Sequence, residues 1–600
     1  MYYRNWALRI ALGDWRPHGV FEQGPLYPYL LSLPFALLGP ADLPVLAIQS
    51  LCGIVTVVLL FGCATRLFGL KTAAAAGLFA AVYGPSIFYE SQVMKTFLEP
   101  LLVTAALYAA LRYGERLRAG WLAVSCATLG LACLVREIHA LLLPVVLVWA
   151  WFLSGGSGTS RLRRTTHLLA GMLAFSLPIL PATLGNYLVA GERVLVTAGG
   201  GEVFYMAFGP EAKAYYHPPD FVRPIPRLEH LDFRDEASRR TGTLLSAGDS
   251  SRFWFSQGIR AAAASPRRVL QLLVSRVVLI FNNFEVPDSE SIQVARDLVP
   301  PLRALPTFAW FFGLGLLGVG LSFRGSSQVR LALTFVLVLV CQILLTYNFG
   351  RFRAAFAAMW LLFAGRGAVW LMNAAIHPRT RWRWQTWSAF ALVTLSSTVA
   401  FAAPSGFPAE WLAANFQGYR QEISTADQHR RALPALWQAL ARQPDDPWIF
   451  DSLGTELENA GRGFEAVPFY ESAVRLDPTL SSSHERLADI YYREGLLSDV
   501  VRHARAVALL EPDSTQAHVA LAVFCARQAL SSRSADESGA LLRESEDHFS
   551  IAMQLDPENE PAYYYRGRLR GLRGLHKEAN ADLARASELT QGHVHFDHPW

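Results

Sequence analysis

The stretch LPVLAIQSLCGIVTVVLLFGCAT, residues 43–65, is uncharged over its whole length. A helix needs about 20 mostly apolar residues to cross the hydrocarbon core of a bilayer. This stretch therefore predicts a membrane-spanning helix, and further apolar runs follow it. We expect an all-α fold built on a polytopic membrane bundle of about ten spanning helices. The other nine runs are residues 72–89, 96–111, 120–135, 138–154, 167–190, 304–322, 331–349, 354–372 and 387–403.

The composition excludes an ordinary soluble enzyme. Of 600 residues, 52% are apolar and 17% charged, with a mean hydropathy of +0.23, whereas soluble chains carry about 25% charged residues. The net charge of +5 is an average, because residues 407–600 hold 19 Lys and Arg against 29 Asp and Glu. A basic apolar part is thus joined to an acidic polar part. The charge gives no reason to expect a nucleic-acid partner.

Short basic loops predict the orientation of the bundle. Lys and Arg mark the cytoplasmic side, and they occur in alternate connections, at residues 66–71, 112–118, 161–164, 324–330 and 379–383. The long loop 191–303 and the tail then lie outside the membrane. Within that loop, the apolar stretch Val269–Phe281 contains Arg276 and is expected to lie at the outer interface as a helix.

Ten spans also place the N-terminus outside, so we expect a spanning helix upstream of Met1. The alternative is that Pro25–Gly39 crosses as a short helix. The expected domains are a first outer loop with interfacial helices (1–42), a membrane domain (43–403) and an extracytoplasmic tail (404–600).

Prolines in the tail recur with a fixed period. Pro444, Pro478 and Pro512 are 34 residues apart, and Pro557 follows after 45. A period of 34 is typical of tetratricopeptide (TPR) repeats, which stack into an α-solenoid that binds peptides or proteins. We place the additional residues of the last interval in a Ser-rich loop near 531–539. The acidic surface allows a basic partner, and a merely solvated face is the alternative.

Polar clusters at the predicted outer ends of the spans are the candidates for chemistry. Arginines there could hold a lipid phosphate, and a carboxylate could deprotonate an acceptor. For any single residue, an interfacial anchor is the alternative. The clusters are residues 13–29, 88–91 with Lys95 and Glu99, 136–139, and 348–353.

Several short motifs resemble the GT-C class of glycosyltransferases that use polyprenyl-phosphate sugars, namely the protein O-mannosyltransferase and lipid A aminoarabinose transferase relatives. The motifs are FEQGPLYPY (21–29), RLFG (66–69), FYES (88–91), LVRE (134–137) and GRFR (350–353). The chain is also similar to bacterial members with a TPR tail, through residues 204–212 and 229–234. This resemblance implies a multi-pass protein of the bacterial inner membrane that transfers a sugar from a polyprenyl-phosphate donor to a protein or lipid acceptor outside.

The same resemblance implies roles for individual residues. The principal catalytic Asp of the family would fall just before Met1, which leaves Glu90, Asp14 and Glu22 as the catalytic candidates. Arg351 and Arg353 would bind the lipid phosphate, supported by Lys95, Arg136, Gln23 and Tyr27. Gln23 stands where relatives carry Lys and cannot supply its charge, and Ala354 replaces the usual Leu after the Arg-aromatic-Arg pattern. His18 could contribute to a divalent-metal site, with an ordinary surface histidine as the alternative.

A catalytically degenerate membrane scaffold that presents the TPR domain to protein partners stays open as the alternative. A transporter is disfavoured, because it would need ionisable residues at mid-membrane or broken helices in paired halves. The sequence identifies neither the sugar nor the acceptor.

Overall fold

The computed structural model describes residues 2–401 except 12, 14, 18, 39–41, 157, 223–225, 244, 288–291 and 377–379, then 436–437, 440 and 445–589 except 460–461 and 533. The chain forms two compact units, residues 2–419 and 420–600. Within the described residues, helices are the only regular secondary structure apart from one isolated bridge between Tyr215 and Asn348. The predicted all-α fold is confirmed.

The first half of the membrane unit is a series of helices with short connections. They are α1 (Tyr2–Ala11), α2 (Leu26–Leu38), α3 (Asp42–Phe68), α4 (Leu70–Ala81), α5 (Gly84–Glu90), α6 (Leu98–Arg116), α7 (Ala119–Val135), α8 (Leu142–Gly156) and α9 (Arg161–Ala190). Three short 3₁₀ helices interrupt the unit at Lys95–Phe97, Glu137–Leu141 and Gly350–Arg353.

The second half holds the long loop and the last apolar helices. They are α10 (Gly200–Phe208), α11 (Pro226–Thr241), α12 (Ala247–Ala264), α13 (Pro266–Phe281), α14 (Ile292–Leu298), α15 (Pro300–Ala304), α16 (Phe308–Gly320), α17 (Ser327–Leu345), α18 (Ala354–Ile376) and α19 (Thr380–Phe401). The stretch predicted to be an interfacial helix is therefore helical, as α13.

All ten predicted spans are helical where the structure describes them, and within the described residues six helical segments are long and apolar enough to cross a membrane. The run at 72–89 differs from the prediction, because α4 and α5 are bent by 52° instead of forming one helix. The break falls beside Gly84 and Pro85. Pro85 has no backbone N–H to continue the ladder and suits the first turn of a new helix, and Gly84 N donates to Pro306 O at 2.9 Å. Counting this pair as one span gives seven.

The remaining three predicted spans do not meet the same length and composition criteria. α7 and the apolar part of α19, Trp387–Phe401, are shorter apolar helices. α6 has 19 residues but carries Glu99, Arg112, Glu115 and Arg116. Most of its length is buried among other helices, so this helix needs little contact with lipid.

Helix α18 is the centre of the membrane core. Phe356, Trp360 and Phe363 are all buried and pack with residues of α6, α16 and α17. Helix α16 approaches α18 very closely, because a Cβ on Gly318 would lie 1.8 Å from the Phe363 carbonyl oxygen. Small residues of this kind let membrane helices make backbone-to-backbone contact.

The long loop folds into a helical layer with an aromatic core. Trp254 of α12 is fully buried against Tyr205 and Phe233, and its indole N–H donates to Phe233 O at 2.8 Å. Arg276 of α13 is also fully buried and donates to Leu344 O at 2.8 Å. The sequence predicted the outer position of this loop but none of these contacts.

The second unit consists of paired helices, as expected for TPR repeats. Three repeats begin at Pro447, Ser481 and Thr515, 34 residues apart, and Pro478, Pro512 and Pro557 each lie two residues after a helix end. The helices are α20 (Pro447–Asn459), α21 (Gly463–Leu476), α22 (Ser481–Glu494), α23 (Leu497–Leu510), α24 (Thr515–Ser531), α25 (Ala535–Leu555), α26 (Glu560–Leu572) and α27 (His576–Leu589).

The longer third repeat corrects one expectation. Its additional residues do not form a Ser-rich loop; they lengthen α24 to 17 and α25 to 21 residues, compared with 14 for each helix of the preceding repeat. The connection is short because the Ser534 side chain caps α25 by accepting from Glu537 N. Serine is a favoured N-cap residue, so the Ser-rich stretch ends one helix and begins the next.

Candidate functional site

Three cationic side chains lie at the 3₁₀ helices that precede membrane helices. Lys95 begins the turn before α6, Arg136 caps the turn before α8, and Arg351 lies in the turn before α18. Helix N-termini carry a partial positive charge and favour anions. The polar clusters predicted from sequence thus share one structural setting.

Lys95 joins the first loop to the end of α7. Its buried ammonium donates to Val135 O at 3.0 Å and to Gln23 Oε1 at 3.5 Å, and it lies 5.5 Å from the centre of the Tyr3 ring. Tyr3 OH also donates to Gln23 Oε1, at 3.4 Å. The Gln23 side-chain oxygen therefore accepts from both Lys95 and Tyr3 and connects the first loop to the Lys95 ammonium group.

The half-buried Arg136 forms an ion pair with the buried Glu99 of α6, with 2.9 Å between Nη2 and Oε1. Its guanidinium also stacks 3.7 Å from the centre of the Phe352 ring. His139 Nε2 lies 3.5 Å from Glu99 Oε2, and the His139 side chain is 2% exposed. The sequence singled out Glu99 and His139 as polar but gave them no role.

These residues line a small cavity. Its polar wall contains Glu99, Arg136, His139, Gln342 and Thr346, and Leu339, Ile343 and Phe352 form the apolar wall. The cavity therefore lies between the turns that carry Arg136 and Arg351.

Arg351 is half-buried beside the same aromatic ring. Its guanidinium carbon lies 5.7 Å from the Phe352 ring centre and 5.3 Å from the Phe349 ring centre. Arg136 and Arg351 thus contact one phenyl group from different segments of the chain, which brings two positive charges together near the cavity.

Arg353 has a different environment, which argues against its predicted role in lipid-phosphate binding. It is 2% exposed and forms a buried ion pair with Glu285. It also donates to Asn282 O and, at 3.1 Å, to Ile280 O. Through these acceptors the two Nη atoms of the guanidinium hold the end of α13 against the 3₁₀ turn that precedes α18. The spacing of the two arginines suggested equal roles, but the 3₁₀ turn directs them to different sides.

Glu90 and Tyr27 belong to a second polar group around α3. Tyr27 OH donates to Gln49 Oε1 at 2.8 Å, and Gln49 Nε2 donates to Glu90 O at 2.8 Å. The Glu90 carboxylate packs against Gly53, where a Cβ would lie 2.2 Å from Oε2. Glu90 is therefore held half-buried against α3, and none of the contacts that the structure describes joins its carboxylate to Arg136 or Arg351.

Glu22 lies next to a buried pair from the long loop. His230 Nδ1 and Glu202 Oε2 are hydrogen-bonded, and a Cβ on Gly199 would lie 2.9 Å from His230 Cε1 and 3.5 Å from Glu22 O. Burial alone would lower the pKa of His230, but the hydrogen bond and charge of Glu202, with Glu22 adding to them, raise it to about 9. Burial raises the pKa of Glu202, opposed by the hydrogen bond from His230.

Asp14 and His18 lie outside the described residues. Among the residues that are described, no group of three or more His, Cys, Asp or Glu side chains is arranged to hold a metal ion.

Sequence reasoning missed the partners that come from distant segments. Glu285 is 68 residues from Arg353, and Glu202 is 28 residues from His230. No local spacing links such pairs. The signal for Glu99 was available, because it lies four residues after Lys95 and so on the same side of a helical turn.

Comparison with known proteins gives a family match that covers part of the site. Residues 22–183 match the family described as dolichyl-phosphate-mannose-protein mannosyltransferase, which confirms the resemblance inferred from the motifs. The match includes Glu22, Gln23, Tyr27, Glu90, Lys95 and Arg136. No curated protein matches the chain.

Solved structures with a partial likeness to this chain were also found. ArnT from Cupriavidus metallidurans bound to undecaprenyl phosphate is 14% identical, with 81% of this chain and 75% of that chain covered and a TM-score of 0.37. The archaeal oligosaccharyltransferase AglB from Archaeoglobus fulgidus is also 14% identical, with 69% and 53% covered and a TM-score of 0.37. MamA from Desulfovibrio magneticus RS-1 is 18% identical, with 29% and 97% covered and a TM-score of 0.24. The family match and the long apolar helices make the chain a glycosyltransferase-like membrane protein, and the paired helices with a 34-residue period make its second unit TPR-like.

Proposed function

We propose that this protein transfers a sugar from a polyprenyl-phosphate donor to an acceptor at the extracytoplasmic face of a bacterial inner membrane. The TPR unit recruits or orients the acceptor, a protein or a lipid, or a partner protein. The family match over residues 22–183 supports the reaction class. The observation that carries the proposal is the gathering of Lys95, Arg136 and Arg351 at three turns next to one cavity.

These cations suit the phosphate of the donor. Arginine donates two parallel hydrogen bonds to phosphate oxygens, and lysine acts as a point charge. In the proposed site Arg351 contacts the phosphate directly, while Arg136 and Lys95 contribute positive charge. Arg136 is paired with Glu99, and Arg351 lies at the same aromatic ring as Arg136.

A carboxylate would accept the proton of the acceptor hydroxyl. The oxygen of that hydroxyl attacks the anomeric carbon, the bond from this carbon to the phosphate oxygen breaks, and polyprenyl phosphate leaves. Glu22 and Glu90 are the described candidates, and Asp14 is the third. Glu22 is half-buried beside His230, and Glu90 is held against α3. General-base catalysis of this kind contributes about 10²–10⁴-fold.

The test compares two arginines of the same membrane segment. Purified full-length protein is incubated with radiolabelled undecaprenyl-phosphate-mannose and a membrane extract as the source of acceptor. Arg351→Ala should lower donor consumption about 10- to 100-fold, the range expected for charge-assisted hydrogen bonds of about 1.5–3 kcal/mol. Arg366→Ala is the matched control, because Arg366 donates to Leu321 O at 2.8 Å and lies four helical turns further along α18.

Glu22→Gln and Glu90→Gln separate the two candidate bases in the same assay. Loss of turnover with retained donor binding identifies the base. If wild-type protein consumes no polyprenyl-phosphate sugar and none of these variants has an effect in cells, the transferase is refuted and the scaffold alternative remains.

A further inference from the structure

Two pairs of histidines occupy equivalent positions in the second unit. His484 and His518 are 34 residues apart, and each is the fourth residue of the first helix of its repeat, α22 or α24. His484 Nδ1 lies 2.9 Å from His503 Nδ1 on α23, and His518 Nδ1 lies 2.8 Å from His548 Nδ1 on α25. In each of two successive repeats, a hydrogen bond between imidazoles therefore joins the two helices.

The outer partners of the rings determine which histidine donates. Arg502 Nη2 donates to His503 Nε2 at 3.2 Å. A neutral imidazole carries one N–H, so the Nδ1 atom of His503 donates to His484 Nδ1. In the other pair, His518 Nε2 donates to Pro512 O at 2.9 Å, so its Nδ1 accepts from the histidine of α25. In both repeats the second helix therefore donates to the first.

A proton added to either accepting nitrogen breaks its pair, because both ring nitrogens of an imidazolium are donors. Two N–H groups would then face each other across less than 3 Å. His503 and His518 are each 5% exposed, and a buried charge or an unpaired buried donor is costly. The closed arrangement of each repeat therefore requires an accepting nitrogen that carries no proton.

The surroundings of the first pair oppose a proton. Burial lowers the pKa of His484 and of His503, and the charge of Arg502 lowers both further. Arg502 is itself paired with Asp499 at 2.9 Å. The Tyr491 ring stacks on His503, and its OH donates to a carboxylate of α21. The carboxylates on the packed helices and on the turn after α23 are those of Glu471, Glu485 and Glu511.

The surroundings of the second pair carry charges of both signs. Burial and the neighbouring His518 lower the pKa of His548, whereas the carboxylates of Glu544 and Asp547 raise it. Arg505, which is paired with Glu544 at 2.7 Å, adds to the lowering. A proton on this pair is thus partly compensated by carboxylates. Acid should therefore weaken the first pair more than the second.

We propose that the two histidine pairs make the repeat array acid-sensitive: the neutral imidazoles hold the helices of the second and third repeats together, and protons added to them open these repeats. Stacked repeats present one continuous binding surface, so opening changes the surface that a partner of the second unit would contact. The inference is independent of the proposed transferase reaction, because it concerns only the second unit, which lies outside the family match at residues 22–183.

The experiment measures hydrogen exchange of the full-length protein in detergent at pH 7 and at pH 4.5. Protection factors are compared, because they correct for the intrinsic pH dependence of exchange. The pKa of His503 is lowered from 6.5 to about 4, so protonation should lower the protection of α22 and α23 by about 10- to 60-fold over this interval. Helices α24 and α25 should lose less. Helices α20 and α21 contain no histidine and are the internal control for general acid effects.

Two double variants remove the titrating groups. His484→Asn with His518→Asn replaces each accepting Nδ1 by an amide oxygen, which accepts and does not titrate in this range. His503→Gln with His548→Gln replaces the donors instead. In either variant, acid should lower the protection of α22 to α25 no more than that of α20 and α21. His576→Gln is the matched control, because His576 is exposed at the start of α27, and this variant should keep the wild-type response.

The outcomes decide the inference in each case. An equal loss of protection in all four repeats overturns it, and so does an acid response that persists in a folded double variant. Melting curves at pH 7 establish which variants are folded. If neither double variant folds, the wild-type protein decides alone: the inference fails unless α22 and α23 lose at least about 10-fold more protection than α20 and α21 and regain it on return to pH 7.

Discussion

The buried ion pair between Arg353 and Glu285 allows a direct test between a structural role of Arg353 and its predicted role in phosphate binding. Replacing Arg353 by Met leaves Glu285, which is 3% exposed, as an uncompensated buried carboxylate. It also removes the donor to the carbonyl groups of Ile280 and Asn282. Breaking a buried pair by removing one partner costs about 3–5 kcal/mol, so we expect Arg353→Met to destabilise the membrane unit by that amount.

The double variant separates the free-energy cost of losing the ion pair from the cost of leaving the buried Glu285 carboxylate without a partner. Removing both charges, as in Arg353→Met with Glu285→Gln, is often nearly neutral, and here it still leaves two carbonyl groups unpaired. At about 1 kcal/mol for each lost hydrogen bond, the double variant should cost about 2 kcal/mol. It should therefore be more stable than Arg353→Met alone by about 1–3 kcal/mol.

The assay is denaturation of the full-length protein by SDS, followed by tryptophan fluorescence, with binding of undecaprenyl phosphate measured on the same samples. A structural Arg353 predicts lower stability and, wherever the variant is folded, an unchanged Kd for the lipid. The reasoning is refuted if Arg353→Met keeps wild-type stability and loses lipid binding. That result would restore the sequence-based prediction of a phosphate ligand.

Three further predictions concern other parts of the chain. Because the pKa of His230 is raised to about 9, its contribution to stability is present below pH 6.5 and is lost as the pH rises through 9. Hydrogen exchange of α11 should increase over this pH interval, and it should increase less in His230→Gln. Burial, with the charges of Arg502 and His484, lowers the pKa of His503 to about 4. Hydrogen exchange of α23 should therefore become faster as the pH falls from 6.5 towards 4. The same acceleration in His503→Gln would contradict this explanation. Gly318→Ala should lower the stability of the folded protein by about 1–3 kcal/mol through overpacking. Gly320→Ala, with open space around the added Cβ, should lower it by less than 0.5 kcal/mol. Equal effects of the two substitutions would contradict the close packing of α16 and α18.

The fold was predictable to the extent that it is encoded in local patterns. Uncharged runs such as residues 43–65 and the 34-residue spacing of Pro478 and Pro512 depend only on neighbours along the chain. The bend before Pro85 was also encoded locally, but its effect was missed because the run 72–89 is continuously apolar. The greater lengths of α24 and α25, on either side of the Ser-rich connection, were missed because serine is as common in loops as at helix N-caps.

The candidate site was predictable only in part. The motifs identified Arg136 and Arg351, and the polar cluster at 88–99 included Lys95; the three residues lie at similar turns. They could not separate Arg351 from Arg353, because the difference depends on Glu285, which lies 68 residues away. Nor could they identify the buried partners Glu99 and His139 as the wall of a cavity, since that wall also requires residues of α17.

The unequal third repeat affects how a partner could align with the second unit. Repeats of equal length present the same surface every 34 residues, so an extended partner could bind in several positions shifted by one repeat. Helix α25 is seven residues longer than the helix before the Pro512 turn, an extension of about 10 Å. This projection occurs once among the described repeats and makes the positions along the solenoid distinguishable. The longer helix therefore marks one repeat as different from the others, and a bound partner could be held in one register relative to it.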